Sequence, residues 1–116
     1  MSNQLLRALL TQNDSMNLKA FEYILKKCPK IQSINYSFGR ICDEMIDLII
    51  IHCQHLNEMD VRLNSDMNPQ KVEQLFSKFC KQLKTLRIRG FYSEPIEDSI
   101  DESVINCKNI SEMTFV

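Results

Sequence analysis

Residues 80–88 read Cys80-Lys81-Gln82-Leu83-Lys84-Thr85-Leu86-Arg87-Ile88. Apolar side chains stand at the first, fourth, seventh and ninth of these positions, and the last two, Leu86 and Ile88, are separated by a single residue. That alternation places both on one face of an extended strand. Reading backwards, Val72, Leu75, Phe76, Phe79 and Cys80 recur at three- and four-residue spacing, the period of a helix with one apolar stripe. The stretch therefore predicts a helix, a short turn and a strand that share a core. Reading outward, the same phrase returns as CPKIQSINY from Cys28, CQHLNEMDV from Cys53 and CKNISEMTF from Cys107, so the four cysteines lie 25, 27 and 27 residues apart.

Each phrase predicts an inward-facing strand pair: Ile34 with Tyr36, Met59 with Val61, Leu86 with Ile88, and Met113 with Phe115. Phe21, Ile24, Leu25 and Cys28 make the helical stripe of the first unit, and Met45, Ile46, Ile49, Ile50 and Cys53 that of the second. The fourth stripe, Ile96, Ile100, Val104 and Cys107, is weaker and lies in an acidic segment. One helix and one strand cannot bury their apolar faces alone, so successive units must stack. A period of 20 to 29 residues with this core is the signal of a leucine-rich repeat. The expected fold is thus α/β, a short leucine-rich repeat solenoid or horseshoe segment with parallel strands on the concave face and helices on the convex face. Residues 1–15 read as a partial repeat or cap helix built on Leu5, Leu6, Leu9 and Leu10, and residues 16–116 as four repeats, the last truncated after its strand.

Across residues 16–116 the chain resembles the cysteine-containing repeats of the F-box and leucine-rich repeat proteins, the substrate-recognition subunits of cullin-based ubiquitin ligases. CPKIQSINY and CKQLKTLRI carry the resemblance, through a helix-end cysteine followed by the Leu-x-x-Leu-x-Leu shape. It implies a repeat scaffold and a partner protein, with a ubiquitin ligase substrate as one candidate. The family's asparagine or cysteine after the strand appears here only as Asn64, and residues 1–15 do not resemble an F-box.

The four repeat cysteines are expected to be small core hydrophobes at the helix ends. Equivalent cysteines would stand about 5 Å apart in neighbouring units, close to the strand spacing, so separation alone permits bonding. An odd total of five, the lack of any closely spaced pair and the lack of a secretory signal favour thiols over a disulfide framework or a metal site. Cys42, off the repeat grid, is the cysteine best placed to be exposed or reactive, although a plain partly buried residue is the favoured reading.

Lys and Arg number 14 against 15 Asp and Glu, which gives no general pull toward nucleic acid or an anionic membrane. The opening MSNQLLRALL is too short for a signal sequence or a membrane span. Cytoplasm or nucleus is the expected setting. Asn68-Pro69 is the clearest helix start, a capping side chain followed by proline. Ser15 or Asn17 would cap the first full helix, Gly39 breaks the chain before the second, and Ser93-Glu94-Pro95 opens the fourth. The acidic group Glu94, Glu97, Asp98, Asp101 and Glu102 suits the helix dipole on a solvated face.

Function is expected on the strand face, on the residues between the buried ones. The rows are Ser33, Asn35 and Ser37; Glu58, Asp60 and Arg62; Thr85, Arg87 and Arg89; and Glu112 with Thr114. Of these, Asn35, Glu58, Asp60, Arg62, Thr85, Arg87, Arg89 and Glu112 are the candidate protein-binding residues. In a parallel sheet Asp60 falls beside Arg87, where they can pair. Arg62 falls beside Arg89, where like charges repel unless an acidic group bridges them. An acidic feature of a partner protein is therefore the expected ligand of Arg62, Arg87 and Arg89. No glycine-rich phosphate loop or metal-ligand spacing occurs, since Gly39 and Gly90 are the only glycines. His52, Cys53 and His55 form the one local cluster of chemical interest and read as surface and turn residues. Lys26, Lys27, Lys30, Lys81 and Lys84 form a basic edge without aromatic stacking partners. No enzyme, cofactor or metal is expected. The fourth strand, ending at Val116, presents an open edge that allows self-association. The competing reading is an incomplete or decayed array with only a structural role.

Overall fold

Helix starts and apolar stripes divide the chain into four helix–strand units. The computed structural model describes residues 18–35, 41–90 and 93–115. The first unit is α1 (Leu18–Lys27) and β1 (Ser33–Asn35), and the second is α2 (Asp43–His52) and β2 (Glu58–Arg62). The third is α3 (Pro69–Phe79) and β3 (Thr85–Arg89), and the fourth α4 (Glu94–Val104) and β4 (Glu112–Phe115). The strands form one four-stranded, all-parallel sheet in the order β1-β2-β3-β4. Ser15, Asn17, Ser37, Gly39, Phe91, Tyr92 and the leucines of residues 1–15 lie outside the described residues, as do Tyr36 and the Phe115 side chain.

The apolar stripes meet in one core. Phe21, Ile24, Leu25, Met45, Ile46, Ile49, Val72, Leu75, Phe76, Phe79, Ile96 and Ile100 come from the helices, and Ile34, Met59, Val61, Leu86 and Ile88 from the strands. Burying a side chain of this size stabilises by about 1.5–3 kcal/mol, so this shared layer is what holds the units together. Ile50 and Val104 lie at its margin. Met113, expected inside, is 38% exposed, because β4 has β3 on one side and no described element on the other. The largest helix–helix contact joins α3 to α4. There the small buried residues Ser99 and Ser103 let the helices approach.

Main-chain hydrogen bonds set the register from unit to unit. The Gln32 carbonyl accepts from the N–H groups of Asn57 and Glu58, at 2.9 and 3.1 Å. The Asn57 carbonyl accepts from Lys84 and Thr85, and the Lys84 carbonyl from Ser111 and Glu112. Side-chain amides add a second ladder: Gln82 Nε2 donates to the carbonyls of Gln54 and Leu56 at 2.9 and 2.7 Å, and Asn109 Nδ2 donates to that of Lys81. Both rungs use the third residue of the cysteine phrase, where a side-chain amide reaches one unit back.

The helix starts differ in how they are closed. The Asn68 side chain accepts from the Gln70 N–H at 2.9 Å, and the Asn68 N–H donates to the Asp43 carboxylate at 3.2 Å, which ties the start of α3 to the start of α2. Before α4, Ser93 makes no side-chain cap; its carbonyl takes the Ile96 and Glu97 N–H groups instead.

Candidate functional site

Alternation along β2 and β3 sends Met59, Val61, Leu86 and Ile88 under the sheet and the residues between them to its open face. A hollow of about 290 Å³ lies on that face, with Ser33, Asn35, Glu58, Asp60, Thr85, Arg87 and Glu112 among its lining residues. Six of the eight expected binding residues, Asn35, Glu58, Asp60, Thr85, Arg87 and Glu112, thus line one depression. The other two, Arg62 and Arg89, stand opposite each other at the ends of β2 and β3.

The expected register holds: Asp60 stands opposite Arg87, and Arg62 opposite Arg89. The expected ion pairing does not. Asp60 binds Arg89, with Nε at 3.0 Å from Oδ1 and the second guanidinium nitrogen at 3.5 Å from Oδ2. Arg87 reaches across the other strand gap to Glu112 at 2.9 Å. Both contacts run diagonally, toward the strand beginnings, as long side chains in a sheet can. The diagonal wins because it gives each arginine its own carboxylate, while direct pairing of Arg87 with Asp60 would leave Arg89 against Arg62. The acid that relieves this crowding is therefore Asp60 of the chain itself.

The two pairs differ in energy. Arg87 and Glu112 are exposed, and such a pair contributes about 0–1 kcal/mol. The Glu112 hydrogen bond nevertheless raises the Arg87 guanidinium above its ordinary pKa. Asp60 is only 8% exposed, so its carboxylate depends on Arg89 for the hydrogen bonds that water would otherwise supply. Glu58 and Arg62, at opposite ends of β2, make no ion pair with any described residue. Four residue steps separate them, about 13 Å along a strand. Among the described residues the open face thus offers one unpaired carboxylate and one unpaired guanidinium on β2, with neutralised pairs between and beside them. No protein-family model, curated protein or solved structure matches the chain.

Outside this face, the cysteines bring a correction. Cys28 and Cys53 are buried thiols at helix ends, as expected, but Cys80 and Cys107 are joined in a disulfide with their Cα atoms 4.6 Å apart. Stacking places these helix ends one strand spacing apart, and that proximity outweighs the 27 residues of sequence between them. Burial pushes the Cys53 thiol up to about 12, so it is a poor nucleophile at neutral pH. Burial also raises Cys42, which is only partly exposed.

His52 Nε2 lies 3.5 Å from Glu22, and His55 lies in an exposed turn. His55 shares a second hollow, of about 610 Å³, with Lys81 and Lys84 at the strand beginnings. Lys26 contacts Glu22 at 3.7 Å, while Lys27 lies over the Tyr23 ring, 5.6 Å from its centre. Among the described residues no three His, Cys, Asp or Glu side chains are grouped to hold a metal ion, and no helix is long and apolar enough to cross a membrane. The diagonal pairs and the Gln82–Asn109 ladder are absent from the sequence reading. The recurrence of an amide at the third position of two successive phrases was the signal for the ladder.

Proposed function

We propose that the chain is a leucine-rich repeat solenoid that binds a protein partner across the concave, open face of its sheet. The observation that carries this reading is the pair of charges on β2 without an ion partner among the described residues, Glu58, which lines the hollow on the sheet face, and Arg62, at the far end of the same strand. Polar groups of a partner can satisfy both without breaking an existing pair. The chemistry of the partner follows: a basic group over Glu58 and an acidic group over Arg62, about 13 Å apart. An acidic feature received by three arginines is a poorer fit, because Arg87 and Arg89 already hold carboxylates. The resemblance of the cysteine phrases to F-box and leucine-rich repeat proteins makes a ubiquitin ligase substrate the first partner class to test, in the cytoplasm or nucleus.

The test is capture of partners by the tagged chain beside Glu58→Lys, Arg62→Glu and the double variant, with folding checked by circular dichroism. One partner retained by the wild type and lost from each folded single variant supports the reading. A partner bound equally by all forms, or self-association through β4 as the sole interaction, overturns it. Arg89 is unsuitable for this experiment, since reversing its charge also strands the buried Asp60.

A further inference from the structure

The disulfide occupies an unusual place among the cysteines. Its two members hold the same position in successive units, five residues before Thr85 and Glu112, which stand opposite each other in the sheet. Cys80 is nearly buried, whereas Cys107 is partly exposed at the flank of the last described unit. Accessible disulfides are the ones that exchange with small thiols. The immediate surroundings also suit the reduced form. Both sulfurs lie near the Ser103 carbonyl oxygen, Cys80 at 3.7 Å and Cys107 at 3.4 Å, so that oxygen can accept a hydrogen bond from either thiol after reduction. Ser103 is itself held in place, its hydroxyl donating to the Ser99 carbonyl at 2.6 Å. Reduction therefore strands no buried polar group, and the site accommodates both redox states.

We propose that Cys80 and Cys107 form a reversible thiol–disulfide exchange site for low-molecular-weight disulfides of the glutathione class, and that its oxidation state sets how firmly β4 is held against β3. In the oxidising direction the Cys107 thiolate attacks one sulfur of glutathione disulfide, forming a mixed disulfide and expelling one glutathione thiolate. The Cys80 thiolate then attacks the Cys107 sulfur, expelling the second. Two thiol protons leave the protein and two glutathione thiols form, so one disulfide is exchanged for another. Cys107 is the entry point because it is the more exposed of the two residues. Cys53, one unit before Cys80, stands outside the exchange, being buried and held as the thiol. Closing the bond fixes the α4 end to the α3 end and so restrains Glu112 beside Arg87. This inference does not depend on what the open face binds.

The test equilibrates the full chain in buffers from pure reduced to pure oxidised glutathione, traps thiols with N-ethylmaleimide and locates the labels by peptide mass. The expected result is a reversible gain and loss of two labels, confined to Cys80 and Cys107 and absent from Cys107→Ser. Amide exchange at Met113 and Thr114 should be at least tenfold faster in the reduced wild type, with β2 amides unchanged. A pair that stays bonded in pure reduced glutathione, never forms in pure oxidised glutathione, or closes between Cys80 and Cys53 overturns the proposal. So does amide exchange in β4 that ignores the redox state. The wild type carries the decisive readouts even if Cys107→Ser fails to fold.

Discussion

Gly90 follows β3 with φ at 105°, and a Cβ built there would lie 2.2 Å from the Leu63 carbonyl oxygen. Both the positive φ and the close backbone exclude a side chain. The Arg89 carbonyl just before it accepts the Leu63 N–H at 2.8 Å, so the approach belongs to the pairing of the second unit with the third. Gly90→Ala should lower stability by about 1–3 kcal/mol in urea unfolding; an unchanged midpoint would show that the loop moves away freely. Arg89 invites a different comparison. Arg89→Met leaves the Asp60 carboxylate buried and alone, a loss of about 1–3 kcal/mol, whereas Asp60→Asn with Arg89→Met should recover most of it. A double-mutant cycle by chemical denaturation measures that coupling, and a coupling near zero would mean that water satisfies Asp60.

The elements were legible to different degrees. α3 was read from Asn68-Pro69 and five positions, of which Val72, Leu75, Phe76 and Phe79 hold their expected roles with the cap and the proline, whereas Cys80 is bonded to Cys107. Asn68→Ala should therefore cost about 1 kcal/mol by thermal or urea melting. Ser93→Ala should stay within about 0.5 kcal/mol, because the Ser93 side chain caps nothing. Equal losses would mean that the Asn68 contact is not maintained in solution. In β2 and β3 alternation alone placed Met59, Val61, Leu86 and Ile88 in the core, whereas Met113 of β4, read the same way, is 38% exposed. What pattern could not give was the direction in which a long side chain leans. The same register allows Asp60 to meet Arg87 or Arg89, and the choice depended on Glu112, one strand farther away.

At the scale of the molecule, the period gave the four stacked units, and the stacking brought about the one event the sequence reading argued against, closure between Cys80 and Cys107. Their partnership is a property of neighbouring units and not of spacing along the chain. Whole-molecule stability also carries the mark of a buried thiol. An unfolded Cys53 loses its proton near 9.0, but the folded one does so only near 12. The unfolded state is therefore favoured as pH rises through that window, and the contribution is fully present below 9. Cys42 acts with the same sign. Melting temperature should fall between pH 9 and 12, and less steeply in Cys53→Ala; parallel profiles would assign the loss to other groups.

The lengths of the connections hold a practical lesson. In the first three units five residues link helix to strand, because the doubly bonded carbonyls at Gln32, Asn57 and Lys84 fix where each strand must begin. The return links differ, with six residues between β2 and α3 and four between β3 and α4. One side of the molecule is thus a ruler and the other a set of adjustable hinges. A guest peptide spliced between Ser65 and Asp66, both exposed, would be carried as a surface ornament. The same peptide placed between Gln82 and Leu83 would shift every later rung out of step.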